Sequence, residues 1–267
     1  MLTVELSDHP RDLLAAETRR REAAATRAGT PRQKQLITLR EQRDAARAQR
    51  KWWTYLRLAL AISRHKRDRP RPVEVAPTDT EEILRAGIAG ERKVAAELGR
   101  TLDDDWTLLH GYRNARGEID HLLLGPKGLF AIEVKNVNAT VTITGDTWEA
   151  DKYDRYGNRV EQYTIADQRG RSPSEQLNQS ANALASFLYN RGQHIPVRRI
   201  VALTHPRSKI GGHAKNTVSV VTTTRDLLRL VGESPDELDQ ARRAGILALI
   251  KQDHDHHEKR RAGRGRR

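Results

Sequence analysis

The spacing of apolar positions changes near residue 80. Before that point the chain is polar and rich in Ala, Arg, Glu, Gln and Leu, and residues 11–66 read as helix. Apolar positions are sparse until Leu36, Ile37 and Leu39, and no heptad is sustained, which gives a coiled coil little support. Gly29-Thr30-Pro31 divides the region in two, with Thr30 suited to an N-cap and Pro31 to a first helical position. Trp52, Trp53 and Tyr55 are expected to pack the second helix onto the core, with stacking on bases as the alternative. Arg69-Pro70-Arg71-Pro72 and Pro77 read as a linker.

Beyond it, Glu82–Leu98 has helical periodicity, with Ile83, Ile88, Val94, Ala95 and Leu98 as its buried stripe. Trp106–His110, Glu118–Leu124 and Gly128–Lys135 read as strands, the last two joined by the Gly125-Pro126-Lys127-Gly128 turn. Val141–Thr144 and the residues around Trp148 predict a hairpin turning at Gly145-Asp146, followed by a polar insertion over Asp151–Arg171. Ser174–Arg191 reads as a helix, Arg199–Thr204 and Val218–Thr222 as strands, and Asp226–Val231 and Pro235–Lys251 as helices. The core order is therefore helix, three strands, helix, strand.

Charge adds a partner class. The chain of 267 residues carries a net +13. Residues 1–76 hold 18 Lys/Arg against 9 Asp/Glu, residues 251–267 hold 7 against 3, and residues 77–250 hold 23 of each. A neutral middle with two basic arms suits a polyanion, chiefly nucleic acid, although an Arg-rich solvated surface has the same composition. Cysteine is absent, which excludes disulfides, thiolate nucleophiles and Cys-based zinc sites. Met1–Pro10 lacks a signal pattern, and Leu56–Ile62, interrupted by Arg57, is too short to span a bilayer. A soluble cytoplasmic protein without membrane association is expected.

Two strands carry the candidate chemistry. Alternation places Glu118 and Asp120 on one face of their strand and Ile119 and His121 on the other. Glu133 and Lys135 share a face of the next strand, about 7 Å apart along it. The short turn makes the strands antiparallel neighbours, so Asp120 and Glu133 converge. Two close carboxylates repel unless a cation lies between them. Hard oxygen ligands suit Mg²⁺ or Mn²⁺, which polarise a phosphate and lower the pKa of a bound water. Lys135 would orient that water or neutralise developing charge, and a lowered pKa would let it serve as a base. A salt-bridged strand surface is the plain alternative. His110, His121, His205 and His213 are scattered and read as structural. Asp253-His254-Asp255-His256-His257 has residue types that bind divalent ions but lies beside a basic tail, and Gly211-Gly212 reads as a turn.

The stretch from Ala86 to about Pro206 resembles the nuclease-related domain (NERD) family of the PD-(D/E)xK nuclease superfamily. The matching pieces are Gly87-Ile88-Ala89-Gly90-Glu91 with Val94 and Leu98, Gly117-Glu118-Ile119-Asp120-His121, and Gly128-Leu129-Phe130-Ala131-Ile132-Glu133-Val134-Lys135-Asn136. Trp148, Ser172-Pro173-Ser174-Glu175-Gln176 and Ile200–Thr204 complete them, with Ser172 where the family often has Asn. The resemblance implies a mixed central sheet flanked by helices, with Asp120 and Glu133 as metal ligands helped by the Val134 carbonyl, and Lys135 as the catalytic lysine. It further implies Glu91 as an acidic group near the metal or its water, and Gln176 facing the site to contact phosphate or that water.

The expectation is therefore an α/β protein with a PD-(D/E)xK-like core. It comprises a basic helical extension and linker over 1–76, a nuclease-like domain over 80–222, C-terminal helices over 223–252 and a disordered basic tail over 253–267. The expected activity is Mg²⁺- or Mn²⁺-dependent hydrolysis of phosphodiester bonds, foremost in DNA, in nucleic-acid processing or defence. The rival is a nucleic-acid-binding or structural interaction protein that kept the nuclease fold without cleaving.

Overall fold

The computed structural model describes residues 1–28, 31–67 and 76–264. Gly29, Thr30 and the Arg69–Pro72 linker lie outside the described residues, as does the end of the tail, 265–267. The chain forms two compact units, one of Met1–Arg11 with Arg85–Arg267, the other of Asp12–Leu84.

Strand β1 (Leu2–Glu5) opens the chain and helix α1 (His9–Ala28) follows. Helices α2 (Pro31–Ala48) and α3 (Trp52–Arg67) form a hairpin through Arg50, whose φ of 53° closes the turn. Pro31 starts α2, as a fixed φ near −65° favours. Trp52 is 61% and Trp53 88% exposed, so these rings do not pack onto a core; Trp52 instead meets Tyr55 edge to face. Helix α4 (Asp79–Thr101) spans the end of this unit and the start of the other.

In the larger unit β2 (Thr107–Arg113), β3 (Glu118–Gly125) and β4 (Gly128–Lys135) form an antiparallel meander. The expected hairpin is β5 (Thr140–Thr144) and β6 (Thr147–Tyr153), with Gly145 at φ 59° in its turn. Then come β7 (Arg159–Thr164), α5 (Pro173–Tyr189), β8 (Val197–Leu203), β9 (Lys209–Ala214), β10 (Ser219–Val221), α6 (Thr224–Gly232) and α7 (Gln240–Arg264). The main sheet has the order β1-β2-β3-β4-β8-β10, with β1, β8 and β10 parallel to their neighbours β2, β4 and β8. On one face Val94 and Leu98 of α4 and Leu227 and Val231 of α6 bury Leu108, Leu123, Phe130 and Ile132. On the other, Leu177, Leu184 and Leu188 of α5 and Ile246 and Ile250 of α7 cover Leu109, Leu122, Leu124 and Val201. The continuous apolar runs of β3 and β4 follow from burial on both faces.

Besides the exposed tryptophans, four features depart from the sequence expectation. β1 pairs with β2 in the register Leu2↔Thr107, across about a hundred residues of chain. The polar stretch after Trp148 is not a loop: β6 runs to Tyr153 and β7 pairs with it, in a second sheet of order β7-β6-β5-β9. Gly211 and Gly212 lie within β9 because Thr140 and Thr142 of β5 crowd it; a Cβ at Gly211 would sit 2.7 Å from Thr140 Cγ2. Finally, α7 continues to Arg264, over most of the stretch read as a disordered tail. Asp253 and His254 hold it there, buried. Tyr112 donates its hydroxyl proton to Asp253, the Arg113 N–H donates to His254 Nδ1 (3.2 Å), and His254 Nε2 meets the Leu6 carbonyl (3.2 Å). Asp253-His254 is thus a structural clamp on β1 and β2.

Candidate active site

The β3–β4 ladder runs from Gly125↔Gly128 to His121↔Ile132 and stops there, while β4 stays paired with β8 through Lys135↔Leu203. Beyond that point β3 leaves β4. Its alternation breaks as well: Ile119 joins the same apolar cluster as Leu122 and Leu124, although it is an odd number of residues from both. Opposite this bend Gly111 of β2 has φ 66°, and a Cβ there would lie 2.3 Å from the Ser7 carbonyl oxygen. The bend turns Asp120 toward β4, where its Oδ2 accepts the Val134 N–H at 2.7 Å in place of a ladder partner.

Glu133 is buried and accepts from Lys135 Nζ at 2.7 Å. Glu91 reaches the same place from α4, which must come close to the sheet. It does so at Gly90, where a Cβ would sit 2.6 Å from Thr204 Oγ1. The helix is tied down on either side by Asn136 Nδ2 donating to the Ala86 carbonyl (3.0 Å) and by His121 Nε2 at the Glu91 carbonyl (3.3 Å). His121 is fully buried under α4 and meets His110 edge to face, a structural role as expected. Glu91, Glu118 and Asp120 line a cleft of about 200 Å³ whose far wall is Glu5, Ser7, Asp8 and Arg11 of the N-terminal segment.

The electrostatics are those of crowded carboxylates. Burial, then Glu133 and Glu91, push Asp120 well above the usual carboxylate range, against the pull of Lys135 and the Val134 N–H. Burial, then Glu118, Glu133 and Asp8, raise Glu91 to about 7. Burial also raises Glu118, opposed by Arg113 and by the Ser7 hydroxyl, which donates to it at 3.2 Å. For Lys135, burial alone would lower the ammonium, but Glu133 and Asp120 outweigh it and hold the group above its ordinary value. The expectation of a lowered lysine is therefore reversed: Lys135 stays charged and is a counter-charge to Glu133 and Asp120.

Of the residues singled out in the sequence, Asp120, Glu133, Val134, Lys135 and Glu91 are brought together. Gln176 is on the first turn of α5, and its Nε2 donates to the Arg171 carbonyl at 2.9 Å. Ser172 caps that helix: its Oγ accepts from the Glu175 N–H (3.2 Å) and the Glu175 carboxylate accepts from the Ser172 N–H (2.8 Å). Ser7, Asp8 and Glu118 also belong to the site. Glu118 shares the Asp120 alternation, but Ser7 and Asp8, a hundred residues upstream, carry no local signal.

Residues 86–204 match the family model of the nuclease-related domain. Those residues are a nuclease-related domain. The residues that carry the acidic centre on α4, β3 and β4, from Glu91 to Lys135, lie inside it, whereas Ser7 and Asp8 on the far wall of the cleft lie outside. The strand β1, the Asp12–Leu84 unit and helices α6 and α7 lie outside. Neither a curated protein nor a solved structure matches the chain.

Among the described residues, no three His, Cys, Asp or Glu side chains gather as a metal-holding group. The centre of the nuclease-related domain does fit a hard divalent cation in its chemistry. Its donors are oxygens, and Asp120 and Glu91 are pushed up first by burial and then by neighbouring carboxylates, both of which such an ion would offset.

Proposed function

We propose that the nuclease-related domain hydrolyses phosphodiester bonds of nucleic acid, with DNA as the foremost substrate, using Mg²⁺ or Mn²⁺. One observation carries the reading. Asp120, Glu133, Lys135 and Glu91 converge where β3 leaves β4, and the strain of assembling like charges is tolerated there. Asp120, Glu133 and the Val134 carbonyl would hold the ion, which when bound polarises a phosphate oxygen and acidifies a water. The Val134 N–H fixes Asp120 through Oδ2 and leaves Oδ1 for a ligand. Lys135, held charged, offsets the negative charge that builds on the phosphate during attack. Glu91, raised to about 7, is suited to take a proton from water near neutral pH. Gln176 would contact the phosphate or the metal's water through its Oε1, since its Nε2 is spent on the Arg171 carbonyl.

A second reading has support of its own. The Glu133–Lys135 pair at 2.7 Å, in which the lysine already neutralises the carboxylate, suits a module that binds nucleic acid without cutting it. Incubating the purified protein with plasmid, linear duplex, single-stranded DNA and RNA, each with Mg²⁺, Mn²⁺ or chelator, separates the two. Metal-dependent cleavage lost in Lys135→Ala supports the nuclease. Binding without cleavage in any metal supports the module.

A further inference from the structure

Outside the acidic cleft, basic side chains gather at a cavity of about 470 Å³ lined by Arg113, Asn114, Ala115, Arg169, His257, Arg260 and Arg261. Three segments far apart in sequence build it. The β2–β3 turn supplies Arg113 and Asn114, and Asn114 is fixed by donating Nδ2 to the Ser180 carbonyl (2.8 Å). The loop before α5 supplies Arg169, at a turn in which the Arg169 N–H donates to Asp167 Oδ1 (2.8 Å) and Gly170 has φ 76°. The last turns of α7 supply His257, Arg260 and Arg261.

Not all of these charges are spent internally. Arg113 pairs with Glu118 and with Glu258 (2.7 Å), Arg261 lies 3.9 Å from Glu258, and His257 Nε2 lies 3.6 Å from Asp253. The guanidinium groups of Arg169 and Arg260 have no ion pair or hydrogen bond among the described residues, and both side chains are exposed. Two free arginines, a third loosely paired and no unpaired acid on the lining make an anion site, and the planar guanidinium matches phosphate oxygens.

Its position adds the second argument. Arg113 is the cross-strand partner of Glu118, and Glu118 lines the acidic cleft with Asp120 and Glu91. Asp120 is two residues further along β3, about 7 Å by strand rise. The basic cavity therefore begins within a few nucleotides of the acidic centre, at about 3.4 Å of rise per nucleotide of a strand.

We propose that this cavity is a phosphate subsite, in which Arg169, Arg260 and Arg261 hold the backbone of the nucleic-acid strand a few nucleotides from the bond presented to Asp120 and Glu133. The proposal rests on the nucleic-acid reading above. Its test compares wild type, the double variant Arg169→Gln/Arg260→Gln, and a control of equal charge, Arg100→Gln/Arg225→Gln, whose exposed side chains lie outside the cavity. Affinity for a fluorescein-labelled oligonucleotide is followed by anisotropy over a salt series in chelator, so that cleavage plays no part. The cavity variant is expected to lose about tenfold in affinity and to flatten the slope of log affinity against log salt by about 2, two phosphate contacts fewer. The control is expected to match wild type. Equal slopes and affinities in the cavity variant and wild type overturn the subsite while leaving the nucleic-acid reading intact. Failure of wild type to bind any oligonucleotide overturns that reading and the subsite with it. A third arm adds inorganic phosphate to thermal melts. Stabilisation by phosphate that the cavity variant loses, with oligonucleotide binding unchanged, would assign the cavity to a free phosphate ligand and overturn the strand subsite.

Discussion

At the scale of single residues, the acidic centre is a problem in charge. Asp120, Glu91 and Glu133 stand together with Lys135 as counter-ion, and Asp120 is held by the Val134 N–H. Asp120→Asn keeps an acceptor for that N–H and removes one charge. In chelator the variant is expected to equal wild type or gain roughly 0.5–2 kcal/mol, the range of common stabilising changes. It should also lose the stabilisation that Mn²⁺ gives wild type by binding the native state. Melts of both proteins in chelator and in Mn²⁺ test this. A destabilised variant beside a metal-indifferent wild type would reduce the site to a salt-bridged strand surface. Lys135→Ala is expected to keep the Mn²⁺-dependent shift and lose cleavage, and Lys135→Arg to recover little, because the guanidinium has another shape.

Glu91 gives a pH signature. Its pKa is raised in the fold, so the folded protein binds its proton more tightly than the unfolded chain. That contribution is complete below about 4.5 and is lost as pH rises toward about 7. The buried histidines act the other way in part of this window: burial lowers His121 to about 3 and also lowers His110 and His254, so they lose stability as pH falls below 6.5. Only a difference isolates Glu91. In chelator, the melting temperature of Glu91→Gln minus that of wild type is expected to climb between pH 4.5 and 7 and level off above. A flat difference would mean that Glu91 is solvated and unpaired with its neighbours.

At the scale of elements, the centre depends on how closely α4 approaches β4 and β8. Gly90→Ala places a methyl 2.6 Å from Thr204 Oγ1 and should cost about 1–3 kcal/mol, as overpacking does. Thr204→Ala removes the obstacle, so the double variant should recover most of the loss in a denaturant titration. Additive losses would show that the helix adjusts elsewhere. The element pattern was legible where burial is one-sided or complete: α4, β3, β4, α5 and β8 fall where apolar spacing puts them. It failed where pairing, not burial, makes the strand. β7 exposes most of its side chains, so it carries no alternation, and it is held by its ladder with β6. Ile83, counted in the α4 stripe, is 71% exposed, whereas Glu81 in the same turn is buried, so the first turn of the helix buries a different face.

At the scale of the whole molecule, the described residues place much of the basic excess in ordered helices. Part of it is ordered in α7, and part in α1–α3 of the Asp12–Leu84 unit. The N-terminus divides differently from the charge: Met1–Arg11 belongs with the sheet, so removing all of residues 1–76 would strip β1 and Ser7 from the nuclease-related unit. A cleaner test neutralises Arg40, Arg43 and Arg47 of α2 to Gln. If this unit anchors the phosphate backbone, the salt slope of DNA binding should fall by up to about 3 with the melting temperature nearly unchanged. An unchanged slope would place the polyanion contacts elsewhere. Among the described residues no helix is long and apolar enough to cross a membrane.

The sequence by itself determined the sheet meander, its flanking helices and the placement of Asp120, Glu133 and Lys135 on neighbouring strands, because period-2 alternation and a four-residue turn are local and leave little choice of register. Tertiary structure decided the rest. Where β3 bends away from β4, a simple alternation rule no longer says which way Asp120 points. The protonation of Lys135 and Glu91 follows from charges on α4, β3 and the N-terminal segment, summed in space and not along the chain. The docking of β1, the capture of Asp253-His254 and the arginine cavity all join residues separated by many loops. Such contacts leave no periodic trace, since their favourable energy appears only after the intervening chain has folded.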